Sequence, residues 1–207
     1  MGKTLFTADD IVKGLRHVSE FIKKNNSKRL TLPINLIVAG GAVSVLVLHN
    51  RPATHDVDYW ASDDDEMLLV EKAGEMTAAQ LDYDEAWLNA DMSTFIDCDP
   101  AHCDFEKNSI EQNILVFKSD SLRVYVADWK YQLTQKLMRM TSTQNPEPKE
   151  LSDAVAILQM IVQGMDEKAL SKESIRAWYP YGYMIKDDTL SAVQEAYMSK
   201  FPMAGLV

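Results

Sequence analysis

The stretch from Asn35 to Ala61, NLIVAGGAVSVLVLHNRPATHDVDYWA, constrains the fold of this 207-residue chain more than any other. Asn35-Leu36-Ile37-Val38 is a short apolar run with branched side chains, which suits a buried strand. Gly40-Gly41 breaks the run and lets the backbone turn tightly, with room for a ligand to approach. Ala42 to Leu48 is expected to continue as an apolar helix that opens at the glycines, offering backbone N–H groups and the positive end of the helix dipole to a phosphate. Asp56-Val57-Asp58-Tyr59-Trp60 has strand character again, and period-2 alternation puts Asp56 and Asp58 on one face, with Val57 and Tyr59 on the other. Side-by-side carboxylates repel each other unless a cation sits between them. A hard divalent ion such as Mg²⁺, shared with substrate phosphates, fits that need.

A glycine pair after a strand, followed by D-x-D on the next strand, resembles the nucleotidyltransferase superfamily that includes DNA polymerase β. The local form, Gly40-Gly41 … Arg51-Pro52-Ala53-Thr54-His55-Asp56-Val57-Asp58, is most similar to its small toxin-type branch (abortive-infection type IV toxins and relatives), with the pattern GG-A … R-x-x-T-x-D-h-D, h being apolar. Fourteen residues separate Gly41 from Asp56, enough for a helix and a loop. Further on, Lys136-Leu137 matches a helical K-L pair, and Lys149-Glu150-Leu151-Ser152-Asp153 matches a K-D-h-x-D segment that opens the next helix. The chain departs from the branch at Glu150, where aspartate is usual, and at Asn145 to Pro148, where an arginine often stands. No strand carries an unmistakable third carboxylate. Glu111, Asp120 and Asp128 are candidates, each equally readable as a turn or cap residue.

The resemblance implies an α+β fold: a minimal nucleotidyltransferase fold, a small mixed β-sheet flanked by helices over 1–128, then a C-terminal helical region over 129–207. It also implies Mg²⁺-dependent transfer of a nucleoside monophosphate from a nucleoside triphosphate, with pyrophosphate leaving. Asp56 and Asp58 would hold one or two Mg²⁺, and Gly40 and Gly41 would cradle the β- and γ-phosphates, helped by Ser44, Arg51 and Thr54. Lys136 would neutralise charge on the triphosphate, and Asp153 would orient Lys136 or the acceptor. The plainer readings are a surface lysine on an amphipathic helix for Lys136 and a polar strand end for the aspartate pair.

A net charge of −10 disfavours a nucleic-acid acceptor, because proteins that grip phosphate backbones present a basic face. The basic cluster Lys23, Lys24, Lys28 and Arg29 reads as a solvated helix end. Small molecules or proteins are the expected acceptors. No apolar run reaches the ~18 residues of a membrane span, and the N-terminus lacks the apolar core of a signal peptide. A cytoplasmic monomer or homodimer is expected. Cys98, His102 and Cys103 lie close together but have no second ligand pair, so buried thiols are favoured over zinc. His55-Asp56 spells the HD pair of metal-dependent phosphohydrolases, but at a strand start instead of on a helix. An alternative of another class is an idle nucleotidyltransferase fold that binds a nucleotide or a protein partner.

Around this segment, Thr7 is expected to cap an amphipathic helix over about 8–25. Asp63 to Glu66 starts a helical stretch that reaches about Ala90, broken at Gly74 and anchored by Trp87. Residues 114–117 and 122–126 read as a hairpin, and Asp128 caps a helix from about Trp129 to Met140. Helices follow over about 149–163, 171–179 and 188–200, with an aromatic loop from Trp178 to Tyr183 that packs internally or faces a nucleobase.

Overall fold

The computed structural model describes residues 2–26, 30–96, 102–166, 168–179 and 181–207. Lys28, Arg29, Cys98 and the side chains of His102 and Cys103 lie outside that description. The protein is α+β and divides into two compact units, Met1–Ala127 and Asp128–Val207.

The first unit opens with helix α1 (Ala8–Asn25), which starts where its cap dictates. The N–H and hydroxyl of Thr7 donate to the Asp10 carboxylate (2.9 and 2.6 Å), and the Asp10 N–H donates back to Thr7 Oγ1 (3.4 Å). This is a capping box closed by aspartate. Burial works to raise the Asp10 carboxyl, but hydrogen bonds from Lys3 and Thr7 outweigh it and bring it down to about 2. A carboxyl depressed by folding contributes stability that is present above its unfolded pKa of about 3.9 and is lost as the pH falls through the folded value. Asp10→Ala is therefore expected to cost about 1 kcal/mol at neutral pH. Urea unfolding at successive pH values should show the gap closing as the pH falls from about 4 towards 2.

Five strands follow: β1 (Ile34–Val38), β2 (Val57–Trp60), β3 (Leu88–Asn89), β4 (Leu115–Lys118) and β5 (Leu122–Val126). They form one mixed sheet in the order β3-β2-β1-β5-β4. β1 runs antiparallel to β2 and parallel to β5, β2 is parallel to β3, and β4 and β5 make the expected hairpin. Val38 opposes Tyr59 and Leu36 opposes Val124, so these residues and Val57 share one face, where all are fully buried. Burial first, then the charge of Glu71, pushes the Tyr59 phenol up to about 12, and it stays neutral in that core. The other face carries Asp58 and Trp60, with Ile37, Asn35, Arg123 and Tyr125 in register.

Helix α2 (Gly41–Leu46) links β1 towards β2 and is shorter than the expected run to Leu48. Helix α3 (Asp64–Leu81) corrects two expectations. It passes through Gly74 unbroken, and it stops at Asp82, well short of Ala90. Gly74 faces β3, where an added Cβ would make only ordinary contact with Leu88 (3.4 Å to Cδ2), and the Gly74 carbonyl accepts the Trp87 indole N–H at 3.0 Å. Asp82 adopts a left-handed conformation (φ 54°), which aspartate tolerates better than most residues. The chain then turns into β3. Helices α4 (Ser93–Ile96) and α5 (His102–Gln112) precede the hairpin, and Phe105 of α5 packs edge-on against Trp60 at 5.6 Å.

The second unit is helical: α6 (Trp129–Ser142), α7 (Pro148–Gly164), α8 (Lys172–Ala177), a 3₁₀ turn at Gly182–Met184 and α9 (Asp187–Lys200). Asp128 caps α6 as expected, accepting the Tyr131 N–H at 3.3 Å. The same carboxylate accepts the Tyr179 hydroxyl at 2.8 Å, and the Tyr131 and Tyr179 rings meet edge to face at 5.4 Å. In the aromatic loop, Tyr179 is thus a packing residue, whereas Tyr181 and Tyr183 are exposed. Among the described residues no helix is long and apolar enough to cross a membrane.

Candidate active site

The end of β1 and the start of β2 build the site. Their antiparallel pairing brings Ala39 opposite Asp58, whose carbonyl accepts the Ala39 N–H at 3.4 Å. Gly40, the next residue, caps α2 at φ 68° and ψ −133°, a conformation that glycine adopts without strain. A Cβ placed on Gly40 would stand 3.4 Å from Asp58 Oδ2, so the carboxylate lies directly beside the glycine turn. A Cβ on Gly41 would collide with the Thr54 hydroxyl, come within 3.0 Å of Thr54 Cβ and reach 3.8 Å from Arg51 Nη1. Gly40, Gly41, Arg51, Thr54 and Asp58 are therefore one neighbourhood.

Asp56 sits one residue before β2, half-buried, two positions ahead of Asp58. The buried Ser44 hydroxyl donates to the Gly40 carbonyl at 3.2 Å, which ties the first turn of α2 together. With six residues, α2 is too short for its dipole to matter much, and the glycines contribute mainly close approach.

The loop ahead of β2 is held by contacts that nothing in the sequence announces. Phe6 and Thr54 exchange backbone hydrogen bonds (2.7 and 3.0 Å), His55 Nδ1 lies 2.7 Å from the Thr4 carbonyl, and the Val57 N–H donates to the Trp87 carbonyl at 2.7 Å. Phe6 is fully buried against Tyr83 (4.9 Å) and Trp87 (6.2 Å). His55-Asp56 lies outside any helix, in contrast to the phosphohydrolase pair.

The other candidates belong to the second unit. Lys136 is buried, which corrects the surface-lysine reading. Its Nζ meets Glu150 Oε2 at 2.9 Å and Asp153 Oδ2 at 2.8 Å, and Asp153 has no exposed side-chain surface. Arg139 reaches the second oxygen of Glu150 at 3.4 Å. Of the third-carboxylate candidates, Asp128 is the α6 cap, Asp120 is an exposed turn residue paired with Lys23 at 3.2 Å, and Glu111 is exposed on α5. On the Asp58 face β5 offers Arg123 and Tyr125, followed by Ala127, and no carboxylate.

Among the described residues no group of three or more His, Cys, Asp or Glu side chains could hold a metal ion. A cation that binds through one or two carboxylates and completes its shell with phosphate oxygens and water needs only what Asp56 and Asp58 supply. The donor set fits an ion that arrives with a phosphate ligand.

Gly41→Ala is expected to cost about 1–3 kcal/mol by overpacking against Thr54. Denaturant unfolding checks the loss, and the added Thr54→Ala substitution, which removes the colliding hydroxyl, should return part of it.

No curated protein and no solved structure matches the chain. A family described as a domain of unknown function, DUF7582, matches residues 5–204. That match spans nearly the whole chain, both units included, and the protein belongs to the DUF7582 family.

Proposed function

We propose that this protein is a Mg²⁺-dependent nucleotidyltransferase that moves a nucleoside monophosphate from a nucleoside triphosphate to a small-molecule or protein acceptor. One observation carries the reading: the Asp58 carboxylate, the Thr54 hydroxyl and the Arg51 guanidinium gather around Gly40 and Gly41, where side chains are missing. Phosphate can approach the backbone at Gly40, while the space beside Gly41 is taken by the Thr54 hydroxyl, which the missing side chain lets close to the turn. Arg51 matches phosphate oxygens with its planar fork of donors, and Thr54 adds one hydroxyl donor. Asp56, just ahead of β2, and Asp58, within it, are the ligands for the cation that accompanies a triphosphate. When bound, Mg²⁺ offsets negative charge on the phosphates and eases ionisation of the acceptor hydroxyl. The chain's own work is positioning and charge stabilisation. The Lys136–Asp153 ion pair supports an orienting role for Asp153. The net charge of −10 favours an acceptor other than nucleic acid.

A second reading, a fold that binds nucleotide without turning it over, is favoured by two observations. Lys136 already faces two carboxylates, and the Asp58 face of β5 offers no third acidic ligand. Pyrophosphate release separates the readings. Each of the four triphosphates is incubated with the protein, Mg²⁺ and a metabolite extract. A transferase releases pyrophosphate from at least one of them. Mg²⁺-dependent binding without release would leave the binding module, and neither binding nor release would remove both.

A further inference from the structure

We infer that His55 is a positioning residue for the nucleotide site, clipping the Thr54–Asp58 segment to the residues that precede α1. The inference rests on the nucleotide-binding reading of that site. A backbone carbonyl can only accept, so at 2.7 Å from the Thr4 oxygen His55 Nδ1 carries the proton and donates it. The clip joins two further restraints on the same stretch. Phe6 and Thr54 exchange backbone hydrogen bonds just before His55, and the Trp87 carbonyl holds the Val57 N–H just after it. Asp56 is left between two anchored neighbours, and Thr54 is pressed against the place where Gly41 lacks a side chain.

The anchors themselves are firm. Lys3 and Tyr83 form a parallel bridge, with the Lys3 N–H on the Asp82 carbonyl (2.7 Å) and the Asp84 N–H on the Lys3 carbonyl (2.9 Å). Lys3 Nζ also pairs with Asp10 at 2.6 Å. Phe6, Tyr83 and Trp87 form an aromatic cluster beneath. Loops that bind phosphate must hold their donors to within a fraction of an ångström, and a hydrogen bond from an otherwise exposed imidazole to the neighbouring segment does that without occupying the site. His55 is thereby assigned a role that its place in an HD dipeptide does not suggest.

The test compares His55→Leu, which cannot donate, with His55→Asn, whose side-chain N–H stands where Nδ1 does. The ligand-free proteins are measured by amide hydrogen exchange, and Mg²⁺–triphosphate affinity is measured by calorimetry. Loss of one such bond is expected to weaken affinity about five-fold and to speed exchange at Thr54 to Asp58. His55→Asn should restore both, while the melting temperatures of all three stay close. A His55→Leu protein with unchanged exchange and unchanged affinity would overturn the inference. So would a His55→Asn protein as impaired as His55→Leu, or faster exchange with no loss of affinity. Absence of triphosphate binding by the wild type would instead overturn the functional reading, and the positioning role with it.

Discussion

Lys136→Met is expected to destabilise the second unit by about 3–5 kcal/mol, the cost of leaving buried charge without its partner. Lys136 Nζ lies between Glu150 Oε2 (2.9 Å) and Asp153 Oδ2 (2.8 Å), so removing the ammonium brings two carboxylates face to face in a protein interior. Arg139 cannot replace it. Its guanidinium side chain is 66% exposed and pairs with Glu150 at 3.4 Å. The sequence Lys136…Glu150…Asp153 is thus a joint between α6 and α7 before it is anything else. Urea unfolding should show the loss, and Lys136→Met combined with Glu150→Gln and Asp153→Asn should recover much of it, because no uncompensated charge then remains. Full stability in the single variant would contradict the burial of this cluster.

Asp58→Asn is expected to lower turnover of a Mg²⁺–triphosphate by about 10²–10³-fold, the scale seen when one group that stabilises developing charge is removed. Asparagine keeps the shape and can still pack beside Gly40, so the melting temperature should barely move. Asp56→Asn should have the smaller effect. Asp58 is fixed within β2 and paired with Asn89 across β3, while Asp56 lies just outside the strand, between His55 and the backbone-bonded Val57. The reverse order of the two variants would mean that the glycine turn is not the phosphate-facing side of the site.

What could be read from the sequence was set by range. Branched apolar runs and period-2 alternation located β1 and β2, and the glycines between them marked the tight turn, although not that Asp58 and Thr54 would pack beside it. Thr7, Asp63 and Asp128 marked helix starts because capping is a contact within three residues. β3 was hidden, since Leu88-Asn89 becomes a strand only by pairing with β2, and no propensity marks so short a piece. The end of α3 was hidden for a related reason: Asp82 supplies the left-handed residue that glycine usually signals. Burial of Lys136 was invisible because an amphipathic pattern does not register a lysine compensated by carboxylates one helix away. The Phe6–Thr54 and Thr4–His55 contacts span about fifty positions, and only the folded chain reveals them.

The central claim is that Gly40–Gly41 and the Asp56–Asp58 strand form one nucleotide site that takes its cation together with the phosphates. Calorimetric titration of the protein with each nucleoside triphosphate, with and without Mg²⁺, tests it most directly, with the Asp56→Ala, Asp58→Ala double variant alongside. The account predicts binding of at least one triphosphate that requires Mg²⁺ and vanishes in the double variant, while Mg²⁺ alone gives little heat. Binding indifferent to both the metal and the two aspartates, or no binding of any triphosphate, would contradict it.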